Sequence, residues 1–270
     1  MPDAGDLARF YAEGYRAAGP ESERLGAWRA LGARAKADHV IDLCARAGLR
    51  PQRVLELGCG DGALLAELAG RRFAPRLVGL EISEPAVALA RGRGIPGLER
   101  VEAYDGHRLP LDLGRVDLAI ASHVVEHVPE PVPLLAQLAA VAAAVVVEVP
   151  LEANLSARRA AKRATAAEIG HLAALSAAEA RRIVAAAGFE LVDELTDPLP
   201  RAAHLFFARG PVAQARAEAK AAVRRAVFAA SPRLAERLFT VHWAGLATPR
   251  PPGRAEILEV GPDESARTAS

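Results

Sequence analysis

The residues of this chain that could do chemistry gather where apolar segments end. Val54-Leu55-Glu56-Leu57-Gly58-Cys59-Gly60-Asp61-Gly62 is a β-prone stretch with one acid near its end, breaking into a glycine-rich turn. Ala63-Leu64-Leu65-Ala66-Glu67-Leu68 then restarts at helical spacing. Glycine admits positive φ and lets a ligand lie against the backbone, and the start of a helix aims free N–H groups at it. This is a nucleotide-type binding turn. A dinucleotide fingerprint wants a third glycine three positions after the second. Ala63 stands there, a tolerated variant, so spacing alone leaves a nicotinamide oxidoreductase open. Glu56 argues otherwise, because a carboxylate two residues before the first glycine would face the negative charge of a pyrophosphate. It suits a cationic ligand.

S-adenosylmethionine carries an ammonium and a sulfonium and no phosphate, which makes Glu56 welcome. The run resembles motif I of class I S-adenosylmethionine-dependent methyltransferases: an acid, one spacer, then Gly-x-Gly-x-Gly. More of that family's pattern follows in order. Arg76-Leu77-Val78-Gly79-Leu80-Glu81-Ile82 reads as a second strand ending in an acid. A carboxylate about 20 residues past the glycines is where a ribose diol is held, a role Glu81 fits for either cofactor. Val101-Glu102-Ala103-Tyr104-Asp105-Gly106 is similar to the family's third-strand segment, which implies that Asp105 reads the adenine amine and that its neighbours pack on the ring. Val116 to Ser122 looks like the fourth strand, and His123-Val124-Val125-Glu126-His127-Val128 like the segment beside the methyl group. The resemblance covers roughly residues 50 to 210. It implies a cofactor site made of Glu56, Gly58, Cys59, Gly60, Glu81, Ile82, Tyr104, Asp105, Gly106 and Ser122.

Methyl transfer from a sulfonium is an in-line displacement with the leaving group already in place. The enzyme's main task is to hold the acceptor near the methyl carbon, and a base is needed only if the acceptor must lose a proton. His123, directly after the fourth strand, is the candidate base, its ordinary pKa lying near 6.5. Lining the pocket or capping a helix would explain it equally. Cys59 reads as a small packing residue rather than a nucleophile. His123-x-x-Glu126-His127, with His171 downstream, resembles the Glu-x-x-Glu-His site of metal-dependent O-methyltransferases, but His123 replaces the first Glu. Our expectation is transfer without a metal, with His123, Glu126, His127 and His171 the residues that would hold one. Such an imidazole-rich set favours Zn, Fe or Co over Mg. Arg158, Arg159, Lys162 and Arg163 would suit an acidic acceptor if they lay over the pocket, or form a solvated helix face.

The elements that must position these residues alternate. Strands are expected near 53–57, 76–82, 99–103, 116–122 and 143–149, separated by helices, which implies a doubly wound parallel sheet. The helix Ser176 to Ala187 stops at Gly188. Phe189 to Glu194 and His204 to Ala208 then read as the last two strands, an antiparallel pair in this family. The expected fold is α/β: a seven-stranded, mostly parallel sheet with an N-terminal helical lid and a C-terminal helical extension. The boundaries we assign are a lid over 1–48, carrying Tyr11, Tyr15 and Trp28, and a Rossmann-like cofactor domain over 49–210 with an insertion at 151–175. A basic helical extension follows over 211–247, with Val223, Val227, Leu234 and Leu238 at near-helical spacing, and then a disordered tail over 248–270. That extension could pack on its own domain, meet a partner or lie on a membrane.

Composition narrows the classes. The 270 residues carry 34 Lys+Arg against 33 Asp+Glu, so net charge gives no argument for a nucleic-acid binder. Cys44 and Cys59 are too few for a disulfide framework. Asp3, Asp6 and Arg9 interrupt any leader-like apolar core, and no apolar run approaches the roughly 20 residues of a membrane span. The expectation is a cytoplasmic enzyme moving a methyl group to a small molecule, acidic or lipid-linked, first at a hydroxyl oxygen. A nicotinamide oxidoreductase and a non-catalytic cofactor-binding protein are the alternatives.

Overall fold

The computed structural model describes residues 4–16 and 20–251. Two helices, α1 (Ala4–Arg16) and α2 (Pro20–Arg46), precede the sheet, and the alternating core follows: β1 (Arg53–Leu57), α3 (Ala63–Gly70), β2 (Arg76–Glu81), α4 (Glu84–Gly92), β3 (Leu98–Ala103), β4 (Val116–Ser122), α5 (Pro131–Val141) and β5 (Ala142–Leu151). Next come α6 (Ala160–Glu168), α7 (Ala177–Ala186), β6 (Phe189–Pro198), α8 (Arg201–Leu205), α9 (Pro211–Ala230), α10 (Pro232–Leu238) and β7 (Val241–Pro249). The sheet order is β3-β2-β1-β4-β5-β7-β6. The first five strands are parallel, and β7 runs antiparallel to both β5 and β6. This is the expected fold class.

Local sequence explains the elements. Ala142–Leu151 is almost unbroken apolar sequence and is buried along nearly its whole length, as a central strand covered on both faces must be. Two apolar clusters cover the two faces, one around Leu55, Leu57 and Val145, the other around Val54, Leu118 and Val146. Helix α7 starts on a reciprocal box in which Ser176 and Glu179 satisfy each other's backbone N–H groups, and Ser83 caps α4 by accepting from Ala86 N.

The strand expected over His204 to Ala208 is not one. That stretch belongs to α8 and the turn after it, and the seventh strand is Val241–Pro249. Phe206 and Phe207 spend their apolar surface on Trp28 of α2, with ring centroids 5.3 and 5.0 Å apart, so the segment docks as a short helix. Val241-His242-Trp243-Ala244-Gly245-Leu246-Ala247 instead fills the slot between β5 and β6. Gly245 makes room for it, because a Cβ there would stand 2.5 Å from the Trp243 ring. The sheet therefore closes at Pro249 rather than before residue 210. Helices α9 and α10 are a loop excursion between the last two strands, not a C-terminal extension, and residues 248–249 are strand. The remainder of the assigned tail, from 252 on, lies outside the described residues, as does the side chain of Tyr11.

Among the described residues no helix is long and apolar enough to cross a membrane. Trp243 is fully buried, so truncating it leaves a large cavity in the slot that β7 fills. We expect Trp243→Ala to destabilise the fold by roughly 3–5 kcal/mol, read from the midpoint shift in chemical unfolding at unchanged m-value.

Candidate functional site

Strand order reverses between β1 and β4, and in such sheets ligands lie beyond the carboxyl ends of the strands at that point. A cavity of about 390 Å³ sits there, within the roughly 300–1,000 Å³ of small-molecule sites. The turn after β1, the ends of β2 and β4 and the loop after β3 form one side of it. Helix α2 and Tyr15 of α1 form its roof, and Leu199, Pro200 and Ala203 close the far wall. Because β7 is antiparallel, its beginning lies at this same edge and brings His242 in.

Gly58 and Gly60 both have positive φ, 72° and 53°. A Cβ on Gly58 would meet Val124 at 2.7 Å, and one on Gly60 would meet the Tyr15 hydroxyl at 2.6 Å. Any side chain would close the turn. Glu81 pins it from the next strand: one carboxylate oxygen accepts from Gly60 N at 2.8 Å, the other from Ile82 N and Ser83 N at 2.8 and 3.0 Å. Asp61 is buried between Arg29 of α2 and Arg93, whose side-chain nitrogens approach it at 2.8 and 2.7 Å. Cys59 packs over Gly79 of β2, where a Cβ would lie 2.7 Å from its sulfur. Burial pushes its thiol well above the ordinary value, so packing is its role.

Glu56 lines the cavity yet is only 4% exposed, and its Oε2 has no hydrogen-bond partner among the described residues. Burial pushes its pKa up to about 8, against the pull of Lys36 and with further push from Glu81 and Asp61. Tyr104, Gly106, Ile82, Ser122 and His123 also line the cavity. Asp105 does not. It is exposed, and its Oδ1 accepts from the backbone of His107 and Arg108 at 2.7 and 2.6 Å, an Asx-type turn that shapes the loop. His107, from that loop, reaches the cavity instead. The Arg158–Arg163 run is also outside the lining; the basic residues on the cavity wall are Arg29 and Lys36.

His123 has φ +57°, a left-handed conformation that is costly for a side chain with a Cβ and is commonest at functional sites. Its Nδ1 lies 3.3 Å from Glu126 Oε1 and its Nε2 3.7 Å from Glu148 Oε1. Burial and Lys36 work to lower its pKa, but the two carboxylates outweigh them and hold it above the ordinary value. Glu148, on β5, is fully buried. His39 Nδ1 and His242 Nδ1 approach the same Oε1 at 3.3 and 3.4 Å, and Ser122 Oγ donates to Oε2 at 3.3 Å. His39 reaches Asp197 through its other nitrogen at 3.3 Å.

The four residues expected to hold any metal therefore divide. Glu126, His127 and His171 come together, while His123 faces Glu148 and His242. His127 Nδ1 meets Gly170 O at 3.0 Å and His171 Nδ1 meets Glu152 at 2.6 Å. Sequence reasoning missed Glu148, His39 and His242. A lone acid inside the apolar run Val145-Val146-Val147-Glu148-Val149 was the available signal, since a buried charge demands partners.

A family model described as a methyltransferase domain matches residues 28–194. The chain belongs to that family. Solved structures share the fold of the enzyme at low identity. Magnesium protoporphyrin IX methyltransferase (ChlM) from Synechocystis PCC 6803 with bound S-adenosylhomocysteine is 15% identical, with TM-score 0.58, over 92% of this chain and 100% of that one. The [4+2]-cyclase SpnF is 18% identical, with TM-score 0.59, over 92% and 97%. The plantazolicin methyltransferase BpumL in complex with S-adenosylhomocysteine is 13% identical, with TM-score 0.53, over 92% and 98%. No curated protein sequence matches the chain.

The state of Glu56 has a measurable consequence. Its folded-state pKa is raised, so its neutral form favours folding below the unfolded value of about 4.3, and that advantage is lost as pH climbs toward about 8. Glu56→Gln keeps the neutral shape at every pH. We expect it to match the wild type near pH 4 and to be more stable by on the order of a few kcal/mol above pH 8, measured by urea unfolding of ligand-free protein across that range.

Proposed function

We propose that this methyltransferase moves the methyl group of S-adenosylmethionine to a small molecule, at a hydroxyl oxygen. One observation carries the cofactor reading: a buried carboxylate, Glu56, lines the cavity beside the Gly58–Gly60 turn with an oxygen that has no hydrogen-bond partner among the described residues. Such a group is stabilised by a cation and would repel a pyrophosphate. The ammonium of the cofactor's methionine end meets that need, which sets the nicotinamide reading aside. In this arrangement the glycine turn supports the methionine end and Glu81 faces the ribose. Tyr104 and Gly106 flank the adenine, and Asp105 contributes only by folding their loop.

The acceptor lies across the cavity, between the α2 roof and the floor where Ser122, His123 and His242 meet. His123 is the acceptor-side residue. Glu126 lies 3.3 Å from one ring nitrogen, and as the acceptor oxygen attacks the methyl carbon the C–S bond breaks to leave S-adenosylhomocysteine, while the hydroxyl proton passes to His123 in its neutral form. Tyr15 and Trp28 roof the cavity, so α1 and α2 serve as the lid. Apolar walls from Leu31, Leu199, Pro200 and Ala203 favour an acceptor with hydrophobic surface.

Calorimetry tests the first half. S-adenosylmethionine should bind saturably and NADH should not. Glu56, neutral at pH 7 in the free protein, must ionise to meet the ammonium, so binding should release close to one proton at pH 7 and tighten as pH rises toward about 8. Titrations in buffers of different ionisation enthalpy read that proton. Glu56→Gln should abolish the release and weaken binding at least tenfold; unchanged affinity in that variant would refute the assignment. With an acceptor in hand, His123→Ala should lower kcat by roughly 10²–10⁴ while leaving cofactor affinity intact.

A further inference from the structure

The floor of the cavity contains more buried donor atoms than hydrogen bonding uses. Glu148 Oε1, His123 Nε2 and His39 Nδ1 are all buried and without a hydrogen-bond partner among the described residues, although they face one another. The imidazole nitrogens of His242 and His123 stand 3.4 and 3.7 Å from that one carboxylate oxygen. A charge-assisted N–H···O bond is shorter, about 2.7–2.9 Å. The separations instead approach the edge of a tetrahedron whose centre lies about 2.0–2.1 Å from each nitrogen or oxygen corner, an edge of about 3.3–3.4 Å. Atoms of His123, Glu148 and His242 lie within 4.8 Å of one another.

We propose that His123, Glu148 and His242 form a binding site for one divalent transition-metal ion, zinc or cobalt in preference to magnesium. Two imidazoles and one carboxylate make a borderline-soft donor set that suits those ions and is poor for magnesium, which wants octahedral oxygen. Three protein ligands with a fourth position open is the pattern of catalytic zinc sites. Here the open side is defined: His123 and His242 line the cavity, whereas Glu148 stands behind them. The supporting shell is present as well. His39 links Glu148 to Asp197, and Ser122 Oγ donates to the far oxygen of Glu148, as outer-shell groups orient ligands in metal sites. The strained backbone of His123 points its ring into this cluster at the cost of an unfavourable φ.

The site comes from parts that chain order keeps apart: the end of β4, the middle of β5 and the beginning of β7. Only the antiparallel insertion of β7 beside β5 places His242 opposite Pro150, two residues from Glu148. If the methyl-transfer reading holds, an ion at the floor lowers the pKa of an acceptor hydroxyl as a Lewis acid, and His123 then acts as a ligand. The metal site itself does not require that reading.

Chelator-treated protein is titrated with Co²⁺ near neutral pH, without cofactor or acceptor, and followed by visible d–d absorption and by the thermal unfolding midpoint. The wild type should bind stoichiometrically, with the intense bands of four- or five-coordinate Co²⁺, and should unfold at a higher temperature when loaded. Glu148→Gln and His242→Gln should each lose the bands, and His39→Gln should weaken binding roughly 10–100-fold. His171→Ala, which dismantles the neighbouring Glu126–His127–His171 group, should leave them unchanged. Absence of d–d absorption in the wild type overturns the proposal. Bands that disappear in His171→Ala also overturn it, by placing the ion at the neighbouring group, and this arm stands even if the Glu148 or His242 variant fails to fold. Cofactor calorimetry on the same metal-free protein, with Glu56→Gln as its control, reports separately on the methyl-donor reading.

Discussion

One buried carboxylate holds together the end of the cavity where β4, β5 and β7 meet. Glu148 sits in a strand covered on both faces, where an unpaired charge would cost several kcal/mol, so each neighbouring element supplies it a partner. Helix α2 contributes His39, the end of β4 contributes Ser122 and His123, and β7 contributes His242. The charge sets the requirement and the fold meets it by convergence. The carboxylate is held well below its ordinary pKa by these imidazoles in spite of burial, and His39, between Glu148 and Asp197, is pushed up to about 9. Removing one partner therefore leaves the rest miscompensated, which ties the geometry of α2, two parallel strands and the last strand into one unit.

The glycine turn rests on a different set of contacts. Glu81 closes the glycine turn by accepting three backbone N–H groups, work that would otherwise fall to water or ligand. Glu56 does the opposite, and its Oε2 has no hydrogen-bond partner among the described residues. Two acids one strand apart thus differ in how fully the protein itself satisfies them.

The parallel core was legible because its signals are local. Five apolar runs ended in glycine, acid or polar turns, and each of those strands falls where its run predicts. The last strand was not legible because its signal is long-range. Val241–Pro249 is strand by virtue of the slot between β5 and β6, and its apolar residues continue the helical spacing of Leu234 and Leu238 closely enough to extend that helix on paper. His204 to Ala208 has strand-like composition but packs its two phenylalanines on Trp28, about 180 residues earlier. The same distance hid the polar floor: His39, Glu148 and His242 are isolated residues in sequence, and only sheet order makes them neighbours. Asp105 shows the converse, a residue singled out by motif whose side chain is turned to building its own loop and does not line the cavity.

One architecture carries different reactions. Two methyltransferases and a [4+2]-cyclase share this architecture at similar TM-scores, so the sheet and glycine turn specify a binding frame and not a transformation. In this chain the elements placed around that frame are the roof from α1 and α2, the wall from α8 and the floor to which β7 contributes. The wall is largely apolar and discriminates by about 1–3 kcal/mol per methylene, while the roof adds the charges of Arg29 and Lys36 to its apolar surface. The floor concentrates imidazole and carboxylate groups around the buried Glu148, where electrostatic interactions are stronger than in water. The charged groups that could influence a reaction are therefore concentrated at the floor, where His123, Glu148 and His242 meet.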